Sequence, residues 1–102
     1  MNSEKLLTLL GFCRKAGKLT VGFSKVSELL KSKKAPLVLI ASDISKKTEK
    51  EVRYLADNTG ATVVRISFNT ETLSHAIGFA AGVVATCDEG FCKAILQGGI
   101  EL

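Results

Sequence analysis

The sequence predicts an α/β fold, a three-layer αβα sandwich in which a mixed sheet of about four strands lies between helices. Three observations lead there. Segments with helical spacing of apolar residues alternate with short aliphatic runs along the whole chain, the pattern of a sheet sandwiched between helices. One of those runs, Pro36-Leu37-Val38-Leu39-Ile40-Ala41, is apolar throughout, as a strand covered on both faces must be. Hydrophobic residues fill 46% of the 102 positions against 24% charged, with a single proline, a composition that suits a packed core and not a disordered chain. One domain, residues 1–102, is expected.

The opening stretch has Leu6, Leu7, Leu9, Leu10 and Cys13 at helical spacing, with Ser3 as the expected N-cap and Gly17 as the stop. Leu19-Thr20-Val21 reads as a short strand. Gly22 then turns the chain into a second helix with Val26, Leu29 and Leu30 inward. Lys33-Lys34 closes it with charge that the C-terminal dipole favours. The run from Pro36 to Ala41 is the expected central strand. Ser42-Asp43 leads into a charged helix from about Lys46 to Asn58, buried through Val52, Leu55 and Ala56, and Asp43 is expected to cap the loop into it. Thr62 to Ile66 is the third strand. Asn69 or Thr70 caps a helix through Leu73, Ala76 and Ile77, and Val83 to Cys87 is the last strand. Asp88-Glu89-Gly90 begins a final helix carrying Phe91, Ala94, Ile95 and Leu96, ended by Gly98-Gly99.

Several function classes fall away. The longest apolar stretch is far short of the roughly 20 residues a transmembrane helix needs, and the first residues lack a signal-peptide plan, so a cytoplasmic protein is expected. Cys13, Cys87 and Cys92 are odd in number and none stands in a C-x-x-C arrangement, which points to free thiols used as small apolar side chains. His75 is the only histidine. The pair Gly78 and Gly82 neither follows a strand nor opens a helix, unlike a dinucleotide fingerprint. No catalytic residue, cofactor or metal is therefore expected.

Binding chemistry is better represented. The chain carries a net charge of +4, unevenly spread: from Arg14 to Arg53 there are eleven Lys or Arg against four acids, and from Tyr54 onward two against five. Such asymmetry gives an oriented footprint for a phosphate backbone. Gly22 opens the second helix with N–H groups that lack intrahelical acceptors at a positive dipole end, an arrangement that attracts phosphate. Ser24 and Lys25 follow on its first turn, and Arg14, Lys15 and Lys18 precede it.

Three stretches carry a resemblance: Arg14-Lys15-Ala16-Gly17-Lys18-Leu19-Thr20-Val21-Gly22, the strand Leu37 to Ala41 with Ser42-Asp43 after it, and Ala76-Ile77-Gly78-Phe79-Ala80-Ala81-Gly82-Val83-Val84-Ala85. Together they resemble the kink-turn-binding ribosomal protein superfamily that includes the large-subunit proteins L-seven-Ae and L-thirty-e. Asp88 to Ile95 looks most like its bacterial YlxQ-like branch. The resemblance implies an αβα sandwich that docks on a sharply bent RNA helix with tandem sheared G·A pairs. By position, Gly22, Phe23, Ser24, Lys25 and Glu28 would enter the groove, and Phe79, Ala80 and Ala81 would pack near a flipped-out base. Better-known members carry Asn-Glu or Lys-Gln where Ser24-Lys25 stand, and a lysine where Glu28 stands. Lys25 is chiefly a charge partner, so recognition of a bent or bulged RNA, ribosomal or other, is the expectation. The expected protein is a monomer that binds neither DNA nor membrane. The superfamily also holds protein-interaction modules, so a scaffold on the same fold without RNA binding is the alternative. Similar domains also precede methyltransferase domains, and no such catalytic half follows in this sequence.

Overall fold

The computed structural model describes residues 3–34 and 36–99. Helix α1 (Ser3–Lys15) buries Leu6, Leu10 and Cys13, whose spacing of four and three keeps them on one face. It stops at Gly17, where a φ of 73° lets the Gly17 N–H donate to the Arg14 carbonyl (3.0 Å) and the Lys18 N–H to the Cys13 carbonyl (2.9 Å). Those two bonds satisfy carbonyls that the helix end would otherwise orphan. The cap expected of Ser3 concerns a side chain outside the described residues, as does the tail after Gly99.

Strand β1 (Thr20–Val21), helix α2 (Phe23–Lys31), strand β2 (Leu37–Ile40), helix α3 (Lys46–Asp57), strand β3 (Thr62–Arg65), helix α4 (Thr70–Ile77), strand β4 (Val83–Thr86) and helix α5 (Glu89–Ala94) follow, and α5 runs on into a π-helical turn, Ile95–Gly99. The sheet order is β1-β4-β2-β3. Strand β2 pairs parallel with β3 and antiparallel with β4, and β4 pairs antiparallel with β1, so the sheet is mixed. The continuous apolar run takes an interior position as β2, fully buried, and β4 shares the centre with it.

Period-two alternation sorts the core into two layers. Leu37, Leu39, Ala41 and Val84 face Leu6 and Leu10 of α1, Leu73 and Ile77 of α4, and Ile95. Val38, Ile40, Val83 and Ala85 face Val26 and Leu30 of α2 and Val52 and Ala56 of α3. Each Leu, Ile or Val among them, fully buried, contributes about 1.5–3 kcal/mol relative to exposure. The result is the expected three-layer αβα sandwich. Among the described residues no helix is long and apolar enough to cross a membrane.

Two local expectations change. The cap of α3 is Ser45, which accepts the Thr48 N–H at 3.1 Å, and not Asp43. Ser45 directly precedes the first helical residue, so its oxygen reaches the exposed N–H groups of the first turn, whereas Asp43 stands two residues too early. Asp43 instead accepts the Thr70 N–H (2.8 Å) and the Thr70 hydroxyl (2.7 Å), tying the β2–α3 loop to the first turn of α4. Asn69 caps α4 through the Thr72 N–H at 2.8 Å, and Asp88 caps α5 through the Phe91 N–H at 2.9 Å. The last helix is α-helical only to Ala94, and the wider turn that follows buries Ile95 while Leu96 faces outward.

Candidate nucleic-acid interface

Strand pairing decides which loops meet. Because β1 runs antiparallel to β4, the end of β1 lies beside the start of β4, and the Gly22 N–H donates to the Val83 carbonyl at 2.9 Å. Because β4 also runs antiparallel to β2, Ile40 pairs with Val83, and the Ala41 N–H donates to the Gly82 carbonyl at 2.8 Å. One end of the sheet therefore gathers the start of α2, the β2–α3 loop, the start of α4 through Asp43 and Thr70, and the end of the Gly78–Gly82 loop.

At the start of α2, Gly22 takes φ 96° and ψ 150°, a conformation that L side chains rarely adopt. No side chain caps this helix, and a Cβ built on Gly22 would meet nothing within 4 Å. The first N–H groups, from Phe23 to Lys25, have no intrahelical acceptor and stand at the positive end of the helix dipole. Ser24, Lys25 and Glu28 are exposed, and Phe23 is half-buried against the α2–α3 core.

The loop after α4 is held at three points. Gly78, at φ 80°, ends the helix by donating its N–H to the Ser74 carbonyl at 2.8 Å. The Ser74 hydroxyl accepts the Ala81 N–H at 3.0 Å and donates to the Ala81 carbonyl at 3.3 Å. A Cβ on Gly82 would come within 2.8 Å of the Ile44 Cγ2 and 3.0 Å of the Thr70 hydroxyl, so only a glycine fits without displacement. Phe79 is 51% exposed and Ala80 is exposed. Ala81 is buried with Leu73 and Ile77, because the Ser74 tie draws its backbone inward, so its side chain gives core packing and no surface for a base. The Arg14 guanidinium lies over the Phe79 ring, 4.2 Å from its centroid, a cation–π contact between the end of α1 and the loop. Four residues from Phe79 to Val83 span at most about 14 Å, which ties the Phe79 backbone to the strand end where Gly22 is bonded.

Residues 4–96 match the model of the ribosomal protein L7Ae/L30e/S12e/Gadd45 family. The chain belongs to this family. It is 28% identical over 92 residues, 90% of this chain and 88% of the relative, to the RNA-binding protein YlxQ of Enterococcus faecium. It is 34% identical over 92 residues, 88% of this chain and 74% of the relative, to the large ribosomal subunit protein eL30B of Schizosaccharomyces pombe. Among solved structures, a protein of unknown function from Bacillus halodurans superposes with a TM-score of 0.82 at 27% identity, covering 90% of this chain and 93% of the other. The Giardia lamblia 15.5kD RNA binding protein shares the fold, with a TM-score of 0.72 at 19% identity over 95% and 86% of the two chains. The resemblance drawn from the sequence therefore holds.

This member of the family does not bring all of the sequence-predicted cations together. Lys18 precedes β1 and so stands at the other end of that strand from Gly22, in a groove with Leu29, Lys34, Cys87 and Asp88. Lys15 lines the groove between α1 and α4 with Phe12 and His75. Arg14 lies over Phe79, Gly22 is bonded to Val83 at the end of the same loop, and Ser24, Lys25 and Glu28 follow Gly22 along α2.

Other charges are engaged internally. Glu49 pairs with Arg53 at 2.9 Å and Arg65 at 3.3 Å, and Arg65 also donates to the Ser42 carbonyl. The Thr70 hydroxyl and then its N–H hold the Asp43 carboxyl below its ordinary value. Burial pushes the Cys13 and Cys92 thiols up, although a Thr86 hydrogen bond opposes this at Cys13. Among the described residues no cluster of three or more His, Cys, Asp or Glu side chains is arranged to hold a metal ion. Sequence reasoning missed one feature, a groove of about 540 Å³ between α2 and α3. Its only trace in the sequence is the i, i+4 recurrence of Phe23, Ser27 and Lys31 on one helix and of Lys50 and Tyr54 on the next.

Proposed function

We propose that this chain is a cytoplasmic RNA-binding protein that recognises a bent or bulged, kink-turn-like structured RNA, on the ribosome or on another folded RNA, and acts by binding and not by catalysis. The observation that carries the reading is the juxtaposition of two unlike surfaces. An uncapped, lysine-bearing helix start at Gly22 is bonded to Val83, and the exposed Phe79 lies four residues upstream of that same Val83. Helix N–H groups, Lys25 and Arg14 supply salt-dependent attraction to phosphate. Phe79 and Ala80 supply an apolar face that engages only a base already out of the stack, which a regular duplex does not offer. Family membership and the names of the RNA-binding and ribosomal relatives support the same reading. Asp43, the acid after the central strand, is tied to Thr70 as a structural link.

A gel-shift series tests this with a hairpin carrying tandem G·A pairs beside a bulge and with the same sequence fully paired. Preferential, salt-sensitive binding of the bulged RNA is expected. Lys25→Ala should lower affinity a few-fold and reduce the salt slope by about one. Equal affinity of the wild-type protein for both RNAs refutes structural recognition.

A further inference from the structure

The groove between α2 and α3 opens from the same helix start, since Phe23 and Ser24 belong to both. Both helices leave the sheet at one end, α2 after Gly22 and α3 after the loop that follows Ile40, so they run side by side away from it. Tyr54 stands on one wall, 68% exposed, a large ring left uncovered. Lys31 and Lys50 stand on opposite walls, and Glu28 and Glu51 beside them. Ser27 is the most deeply buried lining residue, 8% exposed, and its hydroxyl has no hydrogen-bond partner among the described residues. Buried hydroxyls are rarely left unpaired, so this one retains the capacity to donate to and accept from a group seated on the groove floor.

These features match one chemistry. An aromatic ring offers a stacking platform to any unpaired base. Lysines on both walls suit a phosphate on either side of the nucleotide. Ionised carboxylates only accept hydrogen bonds, so they favour a base edge that presents adjacent N–H donors, which guanine does through N1–H and N2–H₂. The volume of about 540 Å³ is ample for one nucleotide. We propose that the α2–α3 groove holds an unpaired nucleotide of the bound RNA, guanosine by preference, stacked on Tyr54 and bonded by Ser27 and Glu28. The proposal rests on the RNA-binding reading above and extends its site from the start of α2 along the helix.

The test uses the full chain and the bulged hairpin with blunt ends, or with a short single-stranded tail of guanosine or of uridine on either strand. The guanosine tail should raise wild-type affinity about ten-fold, the uridine tail less. Tyr54→Ala should abolish the gain from the guanosine tail while leaving blunt-hairpin affinity unchanged, and Ser27→Ala should reduce the guanosine gain. Tyr54 is exposed, so its replacement leaves the core intact. If the blunt bulged hairpin binds in preference to duplex but no tail adds affinity, or if Tyr54→Ala leaves the gain intact, the groove proposal fails and the RNA-binding reading stands. If the wild-type protein does not distinguish bulged from duplex RNA, the RNA-binding reading fails and takes the proposal with it. A cellular partner that survives nuclease and is lost from Tyr54→Ala, with no gain from tails, assigns the groove to a protein segment and overturns the nucleotide.

Discussion

Replacing Gly82 with alanine should unfold the protein at a lower temperature and misplace the loop that carries Phe79. The added Cβ would lie 2.8 Å from the Ile44 Cγ2 and 3.0 Å from the Thr70 hydroxyl, both inside normal contact distance. Ile44 is β-branched and its Cγ2 sits one bond from Cβ, so it cannot swing away as the tip of a long side chain would. Thr70 is held by its two bonds to Asp43. Neither neighbour yields cheaply. Overpacking of this kind costs about 1–3 kcal/mol, which for a chain of this length lowers Tm by about 5–20 °C. Thermal denaturation followed by far-UV circular dichroism reads the change directly. A double-mutant cycle gives the cause: Ile44→Ala removes the nearer clashing methyl, so the pair Gly82→Ala and Ile44→Ala should lose less than the sum of the single changes. A Gly82→Ala Tm within about 1 °C of wild type refutes the close-approach argument, and strict additivity refutes Ile44 as the obstacle.

The Asp43 carboxyl, held down by the Thr70 hydroxyl and N–H, links stability to acid. Its folded value lies below its unfolded value of about 3.9, so the stability it adds is present above that pH and lost as pH falls through the folded value. Asp43→Asn should therefore flatten the acid limb of a urea-midpoint against pH profile, and identical limbs in the two proteins would rule the tie out. The thiols should separate by reactivity: an aromatic disulfide reagent labels exposed Cys87 in the native protein, while buried Cys13, its thiol pushed up by desolvation, reacts only on unfolding. Peptide mapping that finds Cys13 labelled as fast as Cys87 would contradict its burial.

The elements that sequence makes legible are those whose burial leaves a compositional mark. The run from Leu37 to Ile40 is apolar at every position because β2 is covered on both faces, and Gly17 stops α1 because a positive φ there closes two bonds at once. What stays hidden depends on partners distant in the chain. Asp43 and Ser45 are both competent caps, and only the fold shows that Thr70, rather than the nearer helix, receives Asp43. Charge runs mislead for a related reason. Lys18 and Gly22 are four residues apart, yet an extended chain advances about 3.3 Å per residue, so β1 carries them to opposite ends of a strand. A basic segment in sequence thus lines more than one groove, Lys18 beside Lys34 and Lys15 beside Phe12.

The loop itself argues that the Phe79 face is built and not incidental. Gly78, the Ser74–Ala81 bonds and the Gly82 contact fix the backbone on either side of Phe79, so little ordering entropy remains to be lost when a ligand arrives. With the Arg14 guanidinium 4.2 Å over the ring, one face of Phe79 is covered from the protein side. On the proposed reading, an unstacked base would approach the other face or the ring edge. On the proposed RNA-binding reading, Arg14 would set where a base lands and hold its charge beside the incoming phosphates, acting as a positioning residue for the ring as well as an electrostatic one. A lysine in its place would retain the charge and lose the flat stacking that orients Phe79.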